Sequence, residues 1–333
     1  NIIRRRSGVI VDRYFYQCLT KEEKTAYKLV YSGIMQHKDL IPVPVACLQE
    51  ESFKRIFYAV TMDNPLLYYC NQSVMSLVQD QFGNVAFCPQ YFFKEDQVTK
   101  HNKRVQQAVN RMIAELKLTE GSDYEKVIKL NDYFCRNIEY DLEGANMSDV
   151  TRVIMSHNIL GVFAKQRAQC EGIAKAIKVL LNAVDVKCIV ASGIVYLSDR
   201  RKCPHAWNVI KQDGIPYHVD VTFNIGYTTK GIIGYDWLNL SDTMLQGNHM
   251  PEYKLPICPS DRLNYYRVNH LVFSSKRQAE DYVRREIKCG SQLIYMRFTG
   301  DLKTSDIYTD IIHIANEAIM GKDQEEEKKL QIS

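Results

Sequence analysis

Cys170, His205 and Asp220 are the side chains in this sequence whose types and order suit nucleophilic chemistry. Cys170 stands in Gln169-Cys170-Glu171-Gly172-Ile173, at the mouth of a predicted helix. Ile173, Ala174, Ile177, Leu180, Leu181 and Val184 follow at three- and four-residue spacing, which predicts an amphipathic helix buried on one side. The reactive form of cysteine is the thiolate, and a helix N-terminus with a nearby imidazolium lowers a thiol pKa from its free value of about 8.5. His205 would relay the proton, and Asp220 would fix the tautomer and orientation of the ring. An ordered set of this kind carries more than any of the ten cysteines or eight histidines alone, since a lone buried cysteine is usually core packing.

The elements that must position these groups are a strand and a hairpin. Residues 187–197 form a β-branched run that predicts a buried strand. A hairpin follows, residues 205–210 against 215–220, turned by Lys211-Gln212-Asp213-Gly214. A four-residue loop sets His205 opposite Asp220. A two-residue loop at Asp213-Gly214 sets His205 opposite Thr222, with Asp220 its diagonal neighbour on the same face. Both registers keep imidazole and carboxylate within cross-strand reach.

Four other residues compete for roles. The Gln169 amide is a candidate oxyanion donor, although the backbone N–H of Cys170 is the more natural one. Trp207 and His218 are assigned supporting roles beside the triad, His218 packing against Trp207. A metal site built on Cys203 and His205 is disfavoured, because no second pair has ligand spacing. No metal and no cofactor is therefore expected.

Three segments carry a resemblance. Cys170-Glu171-Gly172-Ile173-Ala174, His205-Ala206-Trp207-Asn208 and His218-Val219-Asp220-Val221-Thr222 follow the order and spacing of the transglutaminase-like superfamily, in its bacterial members especially. The resemblance covers roughly residues 120–245. It implies an α+β fold with a papain-like core, in which a helix bearing the cysteine packs on an antiparallel sheet. It also implies Cys170 as nucleophile, His205 as general base and Asp220 as the orienting carboxylate. The chain departs from the family pattern at Ile173, where an aromatic residue is common, and at Phe223-Asn224, where a Trp-Asp pair is common. Residues 57–68 are similar to a segment that precedes the core in some bacterial members.

The rest of the chain divides as 1–118, an N-terminal domain of helices and strands; 119–245, the catalytic core; 246–321, a small α+β lobe; and 322–333, a charged tail. Capping boxes at Thr20/Glu23 and Ser122/Glu125 open two helices. Further helices are predicted from Ser52 to Asn64-Pro65 and from about Asp96 to Leu118, with two or three strands between 66 and 96. Tyr235–Ser241 is expected to supply the core's last strand. In the final lobe the pattern predicts extended chain over 263–273, a helix over 275–289, a strand over 292–298 and a helix over 306–320.

Composition bounds the function. With 333 residues, 46% hydrophobic and 25% charged, the chain has the make-up of a globular protein with a sizeable core. A net charge of +4, dispersed apart from Arg4-Arg5-Arg6, argues against nucleic acid as a partner. No run approaches the roughly 20 apolar residues of a spanning helix. Scattered cysteines point to free thiols rather than a disulfide framework. Starting at Asn1, the sequence is compatible with a removed leader or anchor, and so with an exported or surface protein as well as a cytoplasmic one.

The reading that follows is a cysteine-nucleophile acyl-transfer enzyme acting on an amide of a protein or peptide, a cell-wall peptide if the chain is exported. The acceptor is water (peptidase or amidase) or an amine (transglutaminase). The lack of an Asp-x-Asp-x-Asp-Gly calcium loop favours calcium-independent hydrolysis. The competing reading is a non-catalytic binding or scaffold module that keeps the fold.

Overall fold

The computed structural model describes residues 13–145, 150–197, 199–226, 231–300, 302, 304–305 and 307–317. The arginine triplet at 4–6 and the tail from 322 lie outside these residues. The chain divides between Asp261 and Arg262 into two compact units. The segment expected as a separate N-terminal domain and the expected core both fall in the first.

The first unit is built round the helix Cys170–Asn182. On one side lies a four-stranded antiparallel sheet in the order Ile215–Val219, Lys202–Gln212, Cys188–Tyr196, His249–Pro251. On the other side lie the helix Glu95–Glu115 and the 3-10 turn Pro65–Leu67. The helix is thus buried all round, not on one side as its apolar spacing implied. Even Lys175 and Lys178 are buried. They are accommodated because Lys178 Nζ donates to the Cys188 carbonyl at 2.7 Å, and Lys175 Nζ to Glu171 at 2.5 Å and Gln72 at 2.7 Å. Burial of Ile173, Ile177, Leu180 and Leu181 supplies about 1.5–3 kcal/mol for each side chain.

The helices Lys21–Met35 and Glu50–Asp63 associate with a three-stranded sheet of Ile41–Val43, Val85–Cys88 and Ser76–Gln79. Both capping boxes form as the sequence predicts. Tyr58 ties this layer to the central sheet, its hydroxyl 3.0 Å from Ser192 Oγ.

The fourth strand of the central sheet is His249–Pro251 and not residues 235–241, which make only a single bridge, Leu240 to His218. Gly193 explains the choice. A Cβ at that position would collide with the carbonyl of Met250, so the missing side chain is what lets the last strand close on Cys188–Tyr196.

The second unit packs the helix Lys276–Lys288 and residues 307–317 about Phe273, Ala279 and Ile307. Two expectations for it are corrected. Within 263–273 a short helix forms, Tyr265–Val268, because the Asn264 side chain caps it. The strand predicted over 292–298 is reduced to Arg297–Phe298, paired in parallel with Val272–Phe273. Among the described residues, no helix is long and apolar enough to cross a membrane.

Candidate active site

The entry to the cysteine helix is pinned from below. Helix Asp123–Asn137 delivers Glu139–Tyr140, which pair in parallel with Arg167–Ala168, and the helix starts two residues later. Gln169 N–H donates to the Ser156 carbonyl at 2.9 Å. Its side-chain amide donates to the Asp141 carbonyl at 3.1 Å, so the buried Gln169 braces this turn. Gly172 presses against the carbonyls of Ser156 and Asn158, where a Cβ would stand 2.5 and 2.8 Å from the two oxygens. Backbone approach this close sets Cys170 at the first helical position, half-buried, where a first-turn N–H has no intrahelical partner.

The hairpin adopts the two-residue register. Asn208 pairs with Val219 and Gln212 with Ile215, so the turn is Asp213-Gly214. The strand ends at Val219, and Asp220 becomes the N-cap of a short helix, Val221–Ile225. One oxygen, Oδ1, accepts from Phe223 N–H at 3.1 Å, while Oδ2 lies 2.7 Å from His205 Nε2. His205 and Asp220 are both buried, in keeping with the predicted pairing.

With Nε2 committed to the carboxylate, Nδ1 is the ring nitrogen left for the Cys170 thiol, which is among the groups that raise the imidazole pKa. Burial by itself would push the imidazole pKa down. The Asp220 charge and hydrogen bond, helped by Cys170, outweigh that and raise it well above the ordinary value. Burial likewise works to raise the Asp220 pKa, but His205 and a second histidine, His249, hold it below the usual carboxylate range.

His249 was not found by reading the sequence. Its Nε2 lies 3.0 Å from the same Asp220 Oδ2, and its side chain is fully buried. Its ring sits among Trp207, Phe223 and Trp237, with centroids 4.8, 5.4 and 5.4 Å away. Two other neighbours had no assigned role at the triad, Phe223 standing in the sequence only as a departure from the family pattern. Phe223 stacks on His205 with ring centroids 4.7 Å apart. Tyr140 faces the site closely enough that, after burial, Cys170 and Asp220 are the leading groups raising its phenol pKa.

Trp207 and His218 form a supporting chain. The indole Nε1–H donates to His218 Nδ1 at 3.2 Å, which leaves the ring proton on Nε2, facing Asp242 Oδ1 at 2.9 Å. Asn208 links the His205 strand to the cysteine helix, since its amide donates to the Ala174 carbonyl at 2.9 Å. Asn224 is structural, bonded to Asn131 at 2.9 Å and to Trp237 N–H at 3.2 Å.

Two groups of metal-ligating types gather among the described residues: His205, Asp220 and His249, and His218, Asp242 and Cys258. In each, the histidine nitrogens nearest the carboxylate are hydrogen-bonded to it. In the second, an indole donor on Nδ1 would force a metal at Nε2 to take an imidazolate, which disfavours the site. A cleft of about 500 Å³, lined by Tyr196, Leu197, Arg200, Phe223, Trp237, Gly247 and Asn248, shares Phe223 with the site.

Comparison with known proteins gives a family match and several distant likenesses. Residues 110–220 match the family model of the transglutaminase core, described as the transglutaminase-like superfamily. A stretch of 129 residues is 25% identical to the kyphoscoliosis peptidase of Mus musculus, covering 37% of this chain and 19% of that protein. The chain thus spans about a fifth of the length of that relative. Among solved structures, a TGase aligns at 15% identity and a TM-score of 0.31, covering 54% of this chain and 49% of the other. A proposed cysteine protease from Cytophaga hutchinsonii aligns at 11% identity and a TM-score of 0.28, covering 45% and 61%. The family-model match shows the resemblance over residues 110–220, which include Cys170, His205 and Asp220.

Proposed function

We propose that this transglutaminase-like chain is a cysteine-nucleophile acyl-transfer enzyme acting on peptide or side-chain amides. The observation that carries the reading is one buried imidazole with a carboxylate 2.7 Å from its Nε2, its charge favoured also by a half-buried thiol at a helix N-terminus. That is the arrangement that makes a nucleophile and a proton carrier from ordinary side chains.

In this mechanism the Cys170 proton has already passed to His205 Nδ1, and the thiolate attacks the amide carbonyl carbon. The oxyanion is met by the free N–H of Cys170 at the positive end of the helix. His205 returns the proton to the departing amine as the C–N bond breaks, leaving a thioester on Cys170. Water or a second amine then attacks the thioester, giving its proton to His205, and the thiol leaves. Asp220 keeps the ring in the tautomer that presents a lone pair at Nδ1 and stabilises the imidazolium. Stacking of Phe223 on His205 limits the ring's rotation. The cleft beside Phe223 and Trp237 has the size and aromatic lining to take a substrate side chain.

The test is site-mapped alkylation by iodoacetamide from pH 5 to 9, in wild type and His205→Ala. Cys170 is expected to react faster than its nine companions near pH 6 and to lose that lead in the variant. A Cys170 that reacts like the others, or equally in both proteins, would overturn the proposal and leave a binding module that keeps the fold.

A further inference from the structure

We infer that His249 is a fourth functional member of this site, a positioning residue that holds Asp220 from the side opposite His205 and limits how strongly the carboxylate grips the imidazolium. The inference rests on the proposed roles of Cys170, His205 and Asp220.

Three observations carry it. Asp220 Oδ2 is shared between two imidazoles, His205 Nε2 at 2.7 Å and His249 Nε2 at 3.0 Å. His249 Nδ1 is buried without a hydrogen-bond partner. The His249 side chain is wholly enclosed, in a cage of Trp207, Phe223 and Trp237.

The empty Nδ1 fixes the tautomer. A buried imidazole with one nitrogen unpartnered is neutral, with its proton on the nitrogen that faces the carboxylate. A phenylalanine would fill the same cage without leaving a polar atom unmet. The feature that only a histidine supplies there is the Nε2–H aimed at Asp220.

The consequence for the reaction follows from charge. The hydrogen bond from His249 is strongest when Asp220 carries its full negative charge, which is when His205 is neutral. It weakens when an imidazolium at position 205 shares that charge. His249 therefore favours neutral His205, the state that must accept a proton, and opposes over-stabilisation of the ion pair. It also keeps Oδ2 in place while Oδ1 caps the short helix through Phe223 N–H.

The titratable groups acting on this cluster are Cys170 on its helix, Tyr140 on the preceding strand, His205 on one hairpin arm, and His218 on the other, with Asp242 behind it.

The experiment is imidazole ¹⁵N NMR of the full chain, titrated with pH, in wild type, His249→Phe and His249→Gln. In wild type, His249 should appear as the neutral Nε2–H tautomer. In His249→Phe the His205 midpoint should rise by about half to one pH unit, the order expected for losing one bond to a charged group. Glutamine can restore an N–H to Asp220, so His249→Gln should return most of that shift.

An Nδ1–H tautomer or a charged His249 in wild type overturns the inference, whether or not the variants fold. So does an unmoved His205 midpoint in a His249→Phe protein that melts like wild type. Failure of the proposed function reads differently: Cys170 alkylation would then be indifferent to His205, while the coupling of the two histidines through Asp220 would persist.

Discussion

Asp220→Asn exposes how much is asked of one carboxylate. Its two oxygens accept from three N–H groups: Phe223 at 3.1 Å, His205 at 2.7 Å and His249 at 3.0 Å. Asparagine is nearly isosteric but has one acceptor oxygen, so neither flip of the amide can serve all three. With its oxygen toward Phe223, the helix cap survives and NH₂ faces two imidazole N–H groups. His205 must then turn its lone pair to Nε2 and carry its proton on Nδ1, which removes the base from Cys170. With its oxygen toward the imidazoles, the cap is lost at a cost of about 1 kcal/mol. Buried donors left unmet cost about 1–3 kcal/mol in either case. Loss of a charge-assisted bond worth about 1.5–3 kcal/mol corresponds to a roughly ten- to 150-fold fall in Cys170 reactivity near pH 6. The assay is Cys170 alkylation against pH, with a urea denaturation curve on the same protein. A variant that alkylates within about twofold of wild type at every pH would refute the reasoning, because at a tenfold change per 1.4 kcal/mol the carboxylate would then contribute almost nothing to the ring's tautomer or charge.

Other outcomes follow from the same contacts. Asp220, Glu171 and Asp141 have pKa values below the ordinary carboxylate range, so the unfolded chain binds more protons in acid. Their stability contribution is present above about pH 4 and is lost as pH falls through the folded values, which an acid series of urea midpoints checks. His205 has the opposite sign: its raised pKa adds stability that is fully present below about pH 6.5 and lost as pH rises through the folded value, so the same series should decline again on the alkaline side. Gly193→Val should cost about 1–3 kcal/mol and loosen strand His249–Pro251, since its side chain would enter the Met250 carbonyl; hydrogen exchange at residues 249–251 should quicken, and unchanged exchange would count against the packing argument.

Much of the site was legible because its parts lie on regular elements with short connections. A hairpin with a two- to four-residue turn brings His205 and Asp220 together in either register, so the pairing survived not knowing which one forms. The cysteine helix announced its extent through its apolar spacing. Its full burial was not legible, because nothing in the local sequence shows that Gln72, Glu171 and the Cys188 carbonyl receive Lys175 and Lys178. Short-range pattern has no term for a partner a hundred residues away.

His249 shows the same limit more sharply. It stands 29 positions beyond Asp220 on a strand of three residues, too short to show alternation and set among prolines that read as irregular chain. What places it is a glycine on another strand, Gly193, whose bare Cα lets the backbone at Met250 approach. Tyr235–Ser241 looked the better strand by composition, yet it only bridges once to His218, and Asp220 N–H instead takes the Trp237 carbonyl at 2.8 Å. That loop supplies Trp237 to the cage, and the true edge strand supplies the imidazole. An isolated glycine inside a strand pattern, at 193, was the one local signal that another backbone comes close. Followed through, it points to the sheet's fourth strand and so to the second histidine on the carboxylate.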